Sequence, residues 1–197
     1  MSLCVVFCTT DIPAYILNSF LRRTVEHLKR EYSFCADEKA EDCVLILTSD
    51  NIASAQPSTL PMKTFQSPFL GKTVEELRDW FTLNITNKRV PTKSKSCMPY
   101  CFIVLDQRSV KDETCVFAST QGGRLQHLRS DFYVAYDNAM QCTEKQRIDE
   151  GVIGQFLRSG VVMTRERLKL ALDGGLYIEG GEVKEDQDFL DALNEQQ

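Results

Sequence analysis

Three aspartates stand just past three apolar runs: Asp11 after residues 3–8, Asp50 after residues 43–48 and Asp106 after residues 100–105. If those runs are neighbouring parallel strands, all three carboxylates reach the sheet edge at which open α/β folds place ligands. Hard oxygen donors gathered there could hold magnesium, which would make the chain a small metal-dependent hydrolase or phosphotransfer-type enzyme. Aspartate also caps helices and opens turns, and each of the three sits where such a residue is wanted. Phosphotransfer sites on such sheets pair two acids after one strand, whereas each run here is followed by a single one.

Other chemistry-bearing types are sparse. Gly71-Lys72-Thr73 resembles the end of a phosphate-binding loop, but Gln66 stands where the full motif needs glycine, and the lead-in is proline-rich rather than a strand. Thr73 therefore reads as a helix cap. The two C-x3-C pairs, Cys4 with Cys8 and Cys97 with Cys101, suggest zinc only on paper. An extended strand holds the first pair's α-carbons about 13 Å apart, too far to share one tetrahedral ion. Nucleophilic catalysis needs a partnered base, and the chain has two histidines. His27 falls beside the apolar stripe of a helix. His127, in a segment read as loop (121–130), is the better candidate for a Cys–His pair.

The elements that must position these groups follow from periodicity. Residues 3–8 (LCVVFC) and 43–48 (CVLILT) are continuous apolar runs, the mark of strands buried on both faces. Between them Leu17, Leu21, Val25, Leu28 and Tyr32 recur at helical spacing, with Thr10 or Asp11 as cap and Pro13 in the first turn. This is a strand–helix–strand crossover of the length that parallel pairing requires. Residues 51–68, with three prolines, read as a long loop. Thr73 and Glu76 form a capping box for a short helix through Phe81. Residues 86–99 are a basic connection bearing Lys88, Arg89, Lys93 and Lys95. A third strand at 100–105, a polar turn, a fourth at 115–118 and another at 131–136 (DFYVAY) follow. A Gly-interrupted helix spans 148–157, Thr164 opens one more that Gly174 and Gly175 stop, and 188–193 forms a last turn.

Charge is uneven. The chain's net −5 comes from residues 179–197, where seven acids against the single base Lys184 give −6, while the rest of the chain is about +1. The near-neutral remainder argues against binding nucleic acid by bulk phosphate neutralisation. Eight cysteines in 197 residues, most in apolar runs, read as buried free thiols of a reducing compartment rather than a disulfide scaffold. The first ten residues lack a basic leader, and no run is long enough to span a membrane. The expectation is an intracellular, cytoplasmic protein whose Asn84-Ile85-Thr86 sequon stays unmodified.

From Thr73 onward the order of signals resembles a family of small bacterial and fungal α/β domains of unknown function. The likeness rests on the T-V-E-E-L helix start, a strand ending at Asp106, a polar turn, a second strand (115–119) and a late helix leading into D-G-G-L-Y (173–177). The chain departs at 137–142, where that family carries an E-N-N-like stretch. The resemblance implies an α/β fold and brings no catalytic residues.

The sequence thus predicts a single α/β domain over residues 1–178, with a mixed, mostly parallel central sheet of about five strands and flanking helices, then an acidic tail over 179–197. Functionally it reads as a non-enzymatic interaction domain, immunity-like or regulatory, binding a basic protein partner through Glu182, Glu185, Asp186, Asp188 and Asp191, without cofactor. The enzyme built on the strand-end aspartates and magnesium is the alternative.

Overall fold

Why the first strand is apolar at every position is plain from its place in the computed structural model: β1 (Leu3–Cys8) is fully buried between two layers of helix and loop. The structure describes residues 2–32, 35–88, 96–144, 152–180 and 182–187. β1 pairs in parallel with β2 (Val44–Ile46) on one side and with β3 (Cys97–Leu105) on the other. β4 (Thr114–Ser119) and β5 (Gln126–Asp131) continue the sheet antiparallel, giving the order β2-β1-β3-β4-β5. The chain is therefore an α/β protein with a five-stranded mixed sheet, parallel around its centre. No described helix is long and apolar enough to cross a membrane.

Alternation along the strands sends side chains to two separate cores. Cys4, Val6 and Cys8 of β1 join Ile103 of β3 and Phe117 of β4 on the larger face. That face is covered by α1 (Ala14–Glu31), α5 (Ala135–Glu144), α6 (Val152–Ser159) and α7 (Arg165–Leu172). Leu3, Val5 and Phe7 face the smaller layer, made by α3 (Val74–Phe81), its π-helical continuation Thr82–Thr86, and the loop around Phe69. Here Phe7 meets the rings of Phe69, Phe102 and Trp80 edge-on at 4.8, 5.3 and 5.5 Å, each such pair adding about 0.5–1.5 kcal/mol beyond burial. The capping box expected at Thr73 and Glu76 is present, and Thr164 caps α7.

Elsewhere the local reading differs. α1 starts after Pro13 with no side-chain cap: the Thr10 hydroxyl donates instead to Gln107 Oε1 at 3.1 Å, and the helix is held by its buried stripe of Ile16, Leu17, Phe20, Leu21, Thr24, His27 and Leu28. Cys43 ends a short helix, α2 (Ala40–Cys43), before β2 begins. The polar turn after β3 is a helix, α4 (Gln107–Asp112), which Asp106 caps. Of residues 131–136, expected to form a strand, only Asp131 is in one, as the last residue of β5. Phe132 and Val134 lie in the turn leading into α5, and Tyr136 in its first turn, all three buried in the larger core, while the strand is the polar β5 just before. β5 exists because β4 pairs with it over six residues, with Leu128 and the small Ser130 turned inward, a tertiary effect that outweighs its weak propensity.

Both margins of the sheet are covered. Ser58 bonds β2 through its amide to the Val44 carbonyl (3.1 Å) and its hydroxyl to the Ile46 amide (2.7 Å). Met163 forms a parallel bridge with Ser130 at the outer side of β5. A separate hairpin of β6 (Leu176–Glu179) and β7 (Glu182–Glu185) packs Leu176, Ile178 and Val183 onto the larger core. The acidic segment expected from residue 179 thus begins inside a hairpin, and the turn expected at 188–193 lies outside the described residues.

Candidate functional site

Because β1, β2 and β3 run parallel, Asp11, Asp50 and Asp106 all follow strand ends at one edge of the sheet. Asp11 and Asp50 are exposed there, in the connections after β1 and β2. Asp106 is committed to structure. Its Oδ1 accepts from the amides of Arg108 and Ser109, both at 3.0 Å, and its Oδ2 pairs with Arg129, whose guanidinium also donates to Thr114 Oγ1 at 2.8 Å. Among the described residues no three His, Cys, Asp or Glu side chains are grouped so that they could hold a metal ion.

The crevice between β1 and β3, where the crossover direction reverses, is filled by the chain itself. Ser67 donates its hydroxyl to the Cys8 carbonyl at 2.5 Å and accepts from the Phe69 amide at 3.1 Å. Gly71, at φ +73°, bonds the Thr9 carbonyl through its amide at 2.9 Å. A left-handed backbone favours glycine at that point, so Gly71 serves this loop closure. The loop that the prolines announced is thus the stopper of the position where such sheets usually admit a ligand.

The histidines are reversed from their expected standing. His127 is exposed on β5, opposite Ala118, while all eight cysteines are buried, so the two halves of a Cys–His pair are kept apart. Burial pushes the thiols of Cys8 and Cys115 up to about 12 and that of Cys97 to about 11, away from thiolate chemistry. His27 is only 5% exposed and sits between α1, α5 and α7 near a buried carboxylate, Asp137. The signal was present in the sequence: 17, 20/21, 24 and 27/28 form one helical row, which carries Thr24 and His27 inward.

Of the acidic candidates, Glu182 and Glu185 are exposed on β7, and Asp186 bonds the Gly175 carbonyl through its amide at 2.9 Å. Asp188 and Asp191 lie outside the described residues. Glu182 stands directly across from Glu179, and Lys184 of the same outward face pairs with Glu179.

No family model, no curated protein and no solved structure matches this chain.

Proposed function

We propose that the chain is a non-enzymatic interaction domain, immunity-like or regulatory in role, that docks a basic protein segment on the β6–β7 hairpin. The observation that carries this reading is the outer side of β7. Among the described residues the strand pairs with β6 alone, and its exposed positions include Glu182 and Glu185. Both margins of the main sheet carry backbone partners, so among the described residues the open strand edges belong to the hairpin, and the one carrying two exposed carboxylates is that of β7. An open edge adds an extended segment through backbone hydrogen bonds. Carboxylates along it repel a second acidic copy and attract a basic strand, so the same side chains guard against self-pairing and select the partner. The buried thiols and the closed crevice between β1 and β3 support the non-enzymatic side of the reading.

Capture of partners from native lysate on immobilised protein tests it, with the wild type compared with the Glu182→Lys, Glu185→Lys double variant. A basic protein held at low salt, released at high salt and lost by roughly tenfold on charge reversal is the expected result. Retention of the same proteins by both forms at both salt concentrations would remove the hairpin from the interface.

A further inference from the structure

Between the C-terminal half of α1, the start of α5 and helix α7 lie two adjoining clefts of about 470 and 380 Å3, which share His27 and Arg165. Glu26, Lys29, Arg30 and Tyr133 complete the first, and Val134, Lys169, Leu168 and Leu172 are among the walls of the second. His27 Nδ1 is buried with no hydrogen-bond partner among the described residues. A buried ring nitrogen left alone costs about 1–3 kcal/mol, whichever tautomer it adopts.

The acids that could answer it are engaged elsewhere. Asp137 accepts from the Tyr32 hydroxyl and from Gln141 Nε2, the latter at 3.0 Å. Glu31 holds Arg165 at 2.8 Å, and Asp131 accepts from the amides of Val134 and Arg165 at 3.0 and 2.9 Å. Burial, joined by Arg165, outweighs the pull of Asp137, Glu31 and Asp131 and pushes the imidazole below its ordinary range. On the rim the balance is reversed. Lys29, Arg30 and Lys169 are exposed and make no ion pair among the described residues, against one acid, Glu26, in the same position. Beside them the Tyr133 ring, with Arg23 stacked on it at 5.2 Å, and Leu172, 64% exposed, supply apolar surface.

Uncommitted cations beside apolar walls and an unpartnered imidazole suit one chemical class. We propose that these clefts bind a small organic carboxylate, its acid group among Lys29, Arg30 and Lys169 beside His27, its apolar body on Tyr133 or on Leu168 and Leu172. The volume of either cleft lies in the range of small-molecule sites. A carboxylate entering next to His27 favours the imidazolium, so binding draws one proton from solvent onto the ring and strengthens as pH falls.

Phenylacetate is a suitable probe, titrated into isotope-labelled full-length protein while the side-chain NMR signals of His27, Tyr133, Leu168 and Leu172 are followed, with inorganic phosphate in parallel. The expected outcome is saturable shifts at those residues with phenylacetate. Affinity should be at least about threefold higher near pH 6 than near pH 7.5, and about fivefold weaker in the Lys29→Ala, Arg30→Ala variant, whose changes lie on the exposed face of α1. His27→Gln should keep weakened binding and lose the pH dependence. Should that variant not fold, the rim variant and the wild-type pH comparison decide alone. Absence of saturable shifts up to about 10 mM, equal affinity at both pH values, indifference to the rim substitutions, or binding of phosphate in preference to phenylacetate each overturns the proposal.

Discussion

Replacing Asp106 tests whether the best placed of the strand-end carboxylates is part of the framework or a free chemical group. Asp106 performs two tasks with two oxygens: Oδ1 caps α4, and Oδ2 meets Arg129, whose side chain is 14% exposed against 28% for the aspartate. Asparagine caps helices about as well as aspartate, so Asp106→Asn isolates the ion pair. A hydrogen bond to a charged partner contributes about 1.5–3 kcal/mol, and partial exposure places this one near the lower end, at about 2 kcal/mol. Asp106→Ala removes the cap as well, worth about 1 kcal/mol, for a total of roughly 3 kcal/mol. In a chain of this length those losses lower Tm by roughly 4–8 °C and 6–12 °C. Urea unfolding followed by circular dichroism gives the free-energy losses, and thermal unfolding by the same signal gives the Tm shifts. Combining Asp106→Asn with Arg129→Met should cost less than the sum of the single changes, because the two groups interact directly. If Asp106→Asn is neutral within about 0.5 kcal/mol, or alanine is no worse than asparagine, the carboxylate is not engaged as described. The magnesium reading would then regain its footing, to be checked by calorimetry with the metal.

Two further outcomes follow from local geometry. Thr73→Ala should destabilise the protein by about 1 kcal/mol, because Thr73 Oγ1 accepts from the Glu76 amide at 3.2 Å while Glu76 accepts from the Thr73 amide at 2.9 Å, and a smaller loss by urea titration would mean that the box is not formed. The buried thiols should resist Ellman's reagent in the native protein at about pH 8, since Cys8 and Cys115, held near 12, are thiolate in only about one molecule in ten thousand, and react on unfolding. Rapid native labelling of either would contradict their burial.

Legibility followed burial. β1, β2 and the helix between them could be read because their apolar residues are either continuous or spaced for one helical face, and one physical cause, a doubly covered parallel pair, produces both patterns. The stretch 121–136 could not. Phe132, Val134 and Tyr136 alternate like a strand, yet their rings and methyls fill the larger core from a turn and a helix end, whereas Gln126–Asp131 is a strand through its pairing to β4 and its bridge to Met163. The candidate site divides in the same way. That Asp11, Asp50 and Asp106 would share an edge was contained in the crossover, but the Asp106–Arg129 pair joins residues 23 apart on different elements and has no local trace. By residue type His27 reads as flanking the stripe of α1, but its phase along the helix puts it within the buried row.

The aromatic knot on the smaller face also has an optical meaning. Trp80 is the chain's one tryptophan and stands edge-on to Phe7 and Phe69, half-buried at the seam between α3 and β1. Its emission therefore monitors the undocking of α3, while far-ultraviolet ellipticity is dominated by the longer helices of the opposite layer. Denaturation curves from the two signals amount to separate readings of the two sides of one sheet, and the degree to which they superimpose measures how tightly β1 couples the halves.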